Sequence, residues 1–452
     1  MGRVVIELPF APVQEGSSGV TQNSREELIN MYAELQVSGR SKIVRRQRPG
    51  MNLRLALPGQ KRGIAEFTHG HYFVVAETAF KYDGTTLTQI GTLDTKIGPV
   101  TIITNDNDNV LICDGADGYH YTQATGVFAK IADRDMGTVA SLSGFGIYNE
   151  PGTGQFYISG LNDLASWGAL DFATAESEPD KLIRVFVDHN ELWLFGSKTI
   201  EVWRNVGDAT FPFALNTTVQ RGCGAAFSVA AEDNTLFMIG DDGIVYRMDG
   251  YRPVRISTHA IEDWLEKATS YADAEAFIYT ARGHKFYTIK VPDYGTRQYN
   301  IATGLWNSAK SWGYDEWRIT GGAGKSTAYQ LAPAGIVTLD DSKNTDAGTV
   351  IERTAISAPA FNNGERMTFV SFMADVEVGR VATGSSEPNV SLQVSRDGET
   401  FGNIRQRGLG TTGDYERRVI WRGLGQARKF VLKLSCTDNV NFAILSTFGD
   451  LN

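Results

Sequence analysis

Three stretches of this 452-residue chain hold residue types at spacings that could do chemistry. Gly321-Gly322-Ala323-Gly324-Lys325-Ser326-Thr327 has the glycines, lysine and hydroxyls of a loop whose backbone N–H groups and lysine cradle phosphates. The spacing fails: the first glycine belongs at position 319, which is Ile319, and no helical pattern follows. A hairpin inside a β-unit accounts for the run. Asn105-Asp106-Asn107-Asp108-Asn109 places oxygens at alternate positions, as a hard cation such as calcium requires. Leu111 stands where such a loop needs its glycine, and no glutamate closes it, so a tight polar turn is expected. His69 and His71 would share one strand face, but the six histidines form no HExxH or other close ligand set. No two carboxylates stand out as an acid and a base. The reading therefore assigns no catalytic, cofactor-binding or metal residue, expects no cofactor, and does not expect an enzyme.

What remains is charge. Arg40, Lys42, Arg45, Arg46 and Arg48 precede Pro49-Gly50, and a second set comprises Arg405, Arg407, Arg417, Arg418, Arg422 and Arg428, with Lys429 and Lys433. The arginines of both sets are the candidate interface residues. The first set reads as a solvated arm lying on the rest of the protein or on a neighbour, a lumen or nucleic-acid contact being the alternative. The second reads either as a solvated strand face, or as an interface with an acidic partner or a wall facing DNA. A formal net charge of −9 argues against a protein that wraps nucleic acid by neutralising phosphates. Three cysteines far apart in sequence and odd in number imply no disulfide framework and fit assembly in a reducing cytoplasm. No run approaches the roughly 20 apolar residues of a membrane helix, and Glu7 and Pro9 interrupt any signal-peptide core, so membrane insertion is not expected.

The elements that must position these residues are β-strands. The 48 glycines, about 11% of the chain against a usual 7% or so, point to many turns, and 17 Tyr, 23 Phe and 8 Trp favour strands. Ile183–Arg204 shows the plan, with three short runs separated by Asp188-His189-Asn190-Glu191 and Gly196-Ser197-Lys198. Its middle run, Leu192-Trp193-Leu194-Phe195, is apolar throughout and should be covered on both faces. The third run alternates, as a wetter strand nearer an edge would. Such units recur at about 30–45 residues, the spacing of propeller blades. The expected fold is all-β: a β-propeller of six or seven blades over residues 61–341, a β-sandwich-like domain over 342–452, and an irregular arm over 1–60 with a short helix around Ser24–Met31. One further helix, capped by Ser257 or Thr258, should pack Ile261, Trp264, Leu265 and Ala268 on the propeller flank. Ser395–Phe401 resembles the aspartate-box turn of sialidase-like propellers but is a residue short and lies outside the propeller; Asp-Gly hairpin chemistry explains it.

Five places, in order along nearly the whole chain, carry a resemblance. They are Ile29-Asn30-Met31-Tyr32 with Arg48-Pro49-Gly50; Phe195–Glu201; Gln220-Arg221-Gly222; Ile261-Glu262 leading to the hairpin at 277–292; and Arg418–Arg422 with Gly425, Arg428 and Lys433. Together they resemble the packaged-DNA stabilisation, or tail nozzle, proteins of short-tailed bacteriophages. Cys223 departs from that pattern, standing where a small aliphatic residue is usual. The resemblance implies a virion protein that forms a six-membered ring below the portal and its adaptor, prolongs the DNA channel, helps retain the genome, and carries a needle or plug and tailspikes or fibres. The competing class is a carbohydrate-binding or glycoside-hydrolysing propeller. On the structural reading, Trp193 and Trp203 pack blades and are not sugar platforms.

Overall fold

The computed structural model describes residues 4–7, 10, 26–36, 43–105, 109–175, 180–232, 234–322, 324, 327–381 and 386–452. Six antiparallel four-stranded units follow one another in chain order, at 61–92, 101–130, 139–174, 182–219, 230–255 and 275–308. Within each, every strand pairs with its neighbour in sequence, because short turns bring it back beside its predecessor. In the fourth blade, His189 and Asn190 both take positive φ (51° and 60°), the geometry a tight hairpin between twisted strands demands.

The seventh blade is assembled differently. Gln330–Ala332 and Gly335–Asp340 pair with each other, and the next position outward is filled by Gly50–Ala56 from near the start of the chain, with Asp340 opposite Gly50 and Thr345–Asp346 then Thr349–Val350 beyond it. Thr320 bridges to Leu331, and Gly322 bridges to Ile64 of the first blade. The ring is thus closed by backbone hydrogen bonds between its two ends. Among the described residues the propeller has seven blades, the upper of the two expected counts.

Side chains of facing blades form the cores between them. Leu192, Trp193, Leu194 and Phe195 are all buried, as a strand covered on both faces must be. Trp193 and Phe195 face the fifth blade's Leu236 and Met238, while Leu192 and Leu194 face the third blade's Ile147 and Phe156. The next strand, Ile200–Asn205, is less wet than its alternation suggests. Glu201 is buried and accepts the Trp203 indole N–H at 2.8 Å, because Phe213–Val219 covers that strand's outer edge. Helix His259–Lys267 starts after Thr258 and buries Ile261, Trp264 and Leu265 against the fifth and sixth blades.

The sandwich has one sheet of Met31–Leu35, Ile43–Gln47, Ala443–Leu451, Met367–Val376 and Val419–Ala427. The other holds Arg353–Ile356, Lys429–Cys436, Asn389–Ser395 and Arg405–Gly408. Phe369, Phe372, Trp421, Phe430, Leu434 and Phe442 fill the space between. The helix expected around Ser24–Met31 is not formed by the described residues of that span. Glu27–Ile29 is instead a strand lying between Leu305–Ser308, the outer strand of the sixth blade, and Arg353–Ile356 of the sandwich. Asn30, at φ 56°, breaks the backbone there, and open strand edges on both sides offer more hydrogen bonds than one isolated turn of helix could. A single hydrogen-bonded sheet of ten strands therefore runs from the propeller into the sandwich.

Candidate interaction site

The candidate arginines separate into three environments. Arg40 lies outside the described residues. Arg45 and Arg48 are buried, which removes them as surface contacts of the folded chain. Arg48 is the clearest correction. Its Nε donates to Asn30 Oδ1 at 2.8 Å, its two terminal nitrogens to Asp346 Oδ1 and Oδ2 at 2.9 and 2.6 Å, and further N–H groups to the carbonyls of Pro49 and Lys310. Those five contacts use the full donor set of a guanidinium. The group also lies over Trp317, 4.5 Å from the ring centroid. Asn30 in turn donates to the Glu352 carbonyl and accepts from the Lys310 N–H. One buried cation so ties the N-terminal segment, the sixth-to-seventh blade connection and the polar linker into a single joint. Basic side chains before a Pro-Gly pair look solvated in a string of letters; the compensating Asp346 is 298 positions away.

Arg45 donates to the Ile43 carbonyl at 3.0 Å, and Arg46, half-buried, pairs with Glu34 at 2.5 Å on the adjoining strand. A residue outside the candidate set completes the joint. Arg353 is buried and donates to the carbonyls of Cys436, Val440 and Asp438 and to Gln47 Oε1. Burial pushes its pKa down from the ordinary arginine value. Nothing local in sequence marks Arg353, because four of its partners are main-chain or amide oxygens.

The C-terminal set clusters at one open side of the sandwich, where edge strands Arg405–Gly408 and Val419–Ala427 come close. Arg405 and Arg407 sit opposite Leu392 and Val390, so both side chains start on the core face of their sheet. They cross the gap and donate to free carbonyls of the facing edge: Arg405 to Arg422 at 2.6 Å and Gly423 at 3.3 Å, Arg407 to Ile420 at 2.8 Å. The Trp421 indole N–H returns a bond to the Arg405 carbonyl at 2.7 Å. Inward-pointing charges of this kind blunt an edge against pairing with another chain. Arg417 is exposed and paired with Glu387 and Asp414 at 2.9 and 3.1 Å. Arg418, Arg422 and Arg428 are exposed and have no carboxylate partner among the described residues. These three form the free basic surface.

The other motifs resolve into structure. Gly324 has φ 83°, and its carbonyl accepts from the Ala231 N–H of the fifth blade; a Cβ there would meet the Val229 carbonyl at 2.4 Å. Ala323, Lys325 and Ser326, and likewise Asp106–Asp108 of the polar turn, lie outside the described residues. His69 falls in the turn, not on the strand, while His71 is buried beside Glu66 and edge-on to Tyr329. Asp397 Oδ1 accepts the N–H groups of Glu399 and Thr400, which holds its carboxyl below the usual range, as in a hairpin turn. Gly222 approaches the Ser197 carbonyl so closely that a Cβ would lie 2.3 Å from it, and Arg221 pairs with Asp242 at 2.6 Å. Cys223 is buried between the fourth and fifth blades and serves as the small apolar residue its position calls for. Among the described residues there is no group of three metal-ligating side chains, and no helix is long and apolar enough to cross a membrane.

Comparison with known proteins follows the same division. No curated protein matches. Among solved structures, one chain of a mitotic checkpoint complex is 10% identical over 65% of this chain and 94% of that one, with a TM-score of 0.43. PorZ, a surface component of the type-IX secretion system of Porphyromonas gingivalis, is 12% identical over 79% of this chain and 46% of its own length, with a TM-score of 0.37. At those scores the likeness carries no argument. The family described as bacteriophage P22 Gp10, beta-propeller, matches residues 11–355, and that described as bacteriophage P22 Gp10, beta-sandwich, matches residues 352–448. With both parts matched in order, the chain belongs to the bacteriophage P22 Gp10 family, structural proteins of the phage particle that stabilise packaged DNA.

Proposed function

We propose that the chain forms the nozzle of a short phage tail: a hexameric ring below the portal and its adaptor that prolongs the DNA channel, helps retain the genome, and carries the needle or plug and the spikes or fibres. The observation that carries this reading is the ten-stranded sheet running from blade to sandwich through Glu27–Ile29, locked by Arg48. A body that must resist the pressure of packaged DNA gains from domains joined by backbone hydrogen bonds instead of a flexible linker. A ring needs two complementary patches on each subunit. Arg418, Arg422 and Arg428 supply one that suits an acidic neighbour or the adaptor, while Arg46 and Arg417 are committed to ion pairs within the chain. On this reading the division of labour is an arm over 1–60, a propeller body over 61–341 and a contact domain over 342–452. DNA passes without sequence-specific recognition, consistent with a net charge of −9. The protein is made in the host cytoplasm and performs no catalysis.

Negative-stain imaging of the purified chain, alone and with the portal–adaptor complex, tests the assignment. A ring that caps the complex is expected; a chain that never forms or caps a ring ends the nozzle reading. A hydrolase screen tests the competing class, and saccharide turnover abolished by one acidic substitution would replace the structural role with an enzymatic one.

A further inference from the structure

Between the second and third blades, on the outer flank, a wedge opens as a pocket of about 260 Å³. Ala129, Ile131 and Ala165 give it apolar walls, while Arg134, His120 and the Trp167 indole supply polar and aromatic groups. Arg134 is fixed from behind. Its guanidinium lies over Tyr157 at 4.9 Å, and its N–H groups reach the Trp167 carbonyl at 3.0 Å and the Tyr148 hydroxyl at 3.4 Å. Tyr148 and Tyr157 stack with centroids 5.0 Å apart, and Trp167 stands edge-on to Tyr148 at 5.0 Å, so the cation rests on a stiff aromatic block. None of its partners is a carboxylate. Two of the five guanidinium N–H groups are in use, which leaves donors for a ligand. Lys130, at the same rim, is neutralised by Asp94 at 2.7 Å and Asp117 at 2.8 Å. His120 sits 3.1 Å from the Thr122 hydroxyl, and burial pushes its pKa down, so it is a neutral hydrogen-bonding group at pH 7. The pocket thus offers one uncompensated, pre-positioned cation beside an aromatic ring and an apolar wall.

We propose that this pocket binds a carboxylated sugar unit, its carboxylate on Arg134 and the C–H face of its ring against Trp167 and the alanines. A planar guanidinium matches a carboxylate through paired hydrogen bonds. The indole and the apolar wall reward a ligand with an apolar face, which inorganic phosphate lacks, and a neutral sugar leaves the charge unanswered. The volume, about 260 Å³ and just under the roughly 300 Å³ at which drug-sized ligand pockets begin, suits a single ring and nothing larger.

The test uses the full chain and three probes, glucuronic acid, glucose and inorganic phosphate, followed by ligand-observed NMR titration. Glucuronic acid is expected to saturate below about 10 mM, with glucose and phosphate each at least roughly tenfold weaker. Arg134→Gln should weaken glucuronic acid by about tenfold or more. Ala165→Trp, at an exposed rim position, should block the pocket with Arg134 untouched, so the question stays answerable if the arginine variant folds poorly. The proposal is overturned by phosphate binding as tightly as glucuronic acid, by no saturation with glucuronic acid, or by glucuronic acid binding that Ala165→Trp leaves unchanged. Ring formation with the portal–adaptor complex is a separate readout, independent of all three outcomes.

Discussion

The first blade draws its four strands from residues 61–92, whereas the seventh borrows Gly50–Ala56 and is locked through an ion pair whose partners are 298 positions apart. In blades one to six the four strands of each blade pair with their neighbours in sequence, so little chain entropy is lost before those contacts form. At the joint of the sixth and seventh blades with the sandwich, strands from both ends of the chain must meet first. The reward is different too. Blades are held by apolar stacking, with Trp203 edge-on to Phe156 at 5.1 Å, while the joint is held by buried, fully bonded polar groups such as Arg48 and Arg353. Apolar stacking weakens gradually when trimmed; a buried charge stripped of a partner fails abruptly.

The largest effect is therefore expected at the joint. Asp346→Ala should leave Arg48 buried without its counter-ion and cost about 3–5 kcal/mol. Denaturant melts should show it, with hydrogen exchange accelerated at 27–29, 50–56 and 305–308 before the first five blades; uniform acceleration would erase the contrast drawn here. Next comes Trp203→Ala, a half-buried ring, at about 2–3 kcal/mol. Its exchange effect should stay between the third and fourth blades, and a loss of saccharide binding without any loss of stability would restore that tryptophan as a sugar platform. Arg405→Ala with Arg407→Ala should cost only about 1 kcal/mol but leave the edge Val419–Ala427 open. Light scattering should then report concentration-dependent association beyond that of the unsubstituted chain, and a double variant that associates no further would refute the edge-capping role. Smallest in stability, within about 0.5 kcal/mol, is Arg418→Ser with Arg422→Ser and Arg428→Ser, since these are exposed and unpaired. Here the change belongs in assembly: weaker capture by the portal–adaptor complex, most evident at low salt. Unchanged capture would remove these residues from the interface.

The same contrast explains what could be read early. The fourth blade was legible because turn residues such as His189-Asn190 and an unbroken apolar strand, Leu192–Phe195, act within a few positions of each other. Helix His259–Lys267 was legible from one apolar stripe. The N-terminal segment was not. Glu27–Ile29 forms a strand because edges contributed by 305–308 and 353–356 wait for it, and no local pattern reports a distant edge.

For the candidate site, composition and spacing identified two basic sets and the spacing mismatch of the phosphate-loop look-alike, whose Gly324 serves a close backbone approach. They could not sort the arginines. Arg48, Arg405 and Arg418 are the same letter, yet one is a buried clamp, one caps a sheet edge and one faces solvent. Side-chain chemistry fixes what an arginine can bond to and the periodicity of strands fixes that blades form. Which arginine meets a carboxylate, a row of carbonyls or open water depends on elements hundreds of positions away arriving at the same place, and only the tertiary structure brings them there.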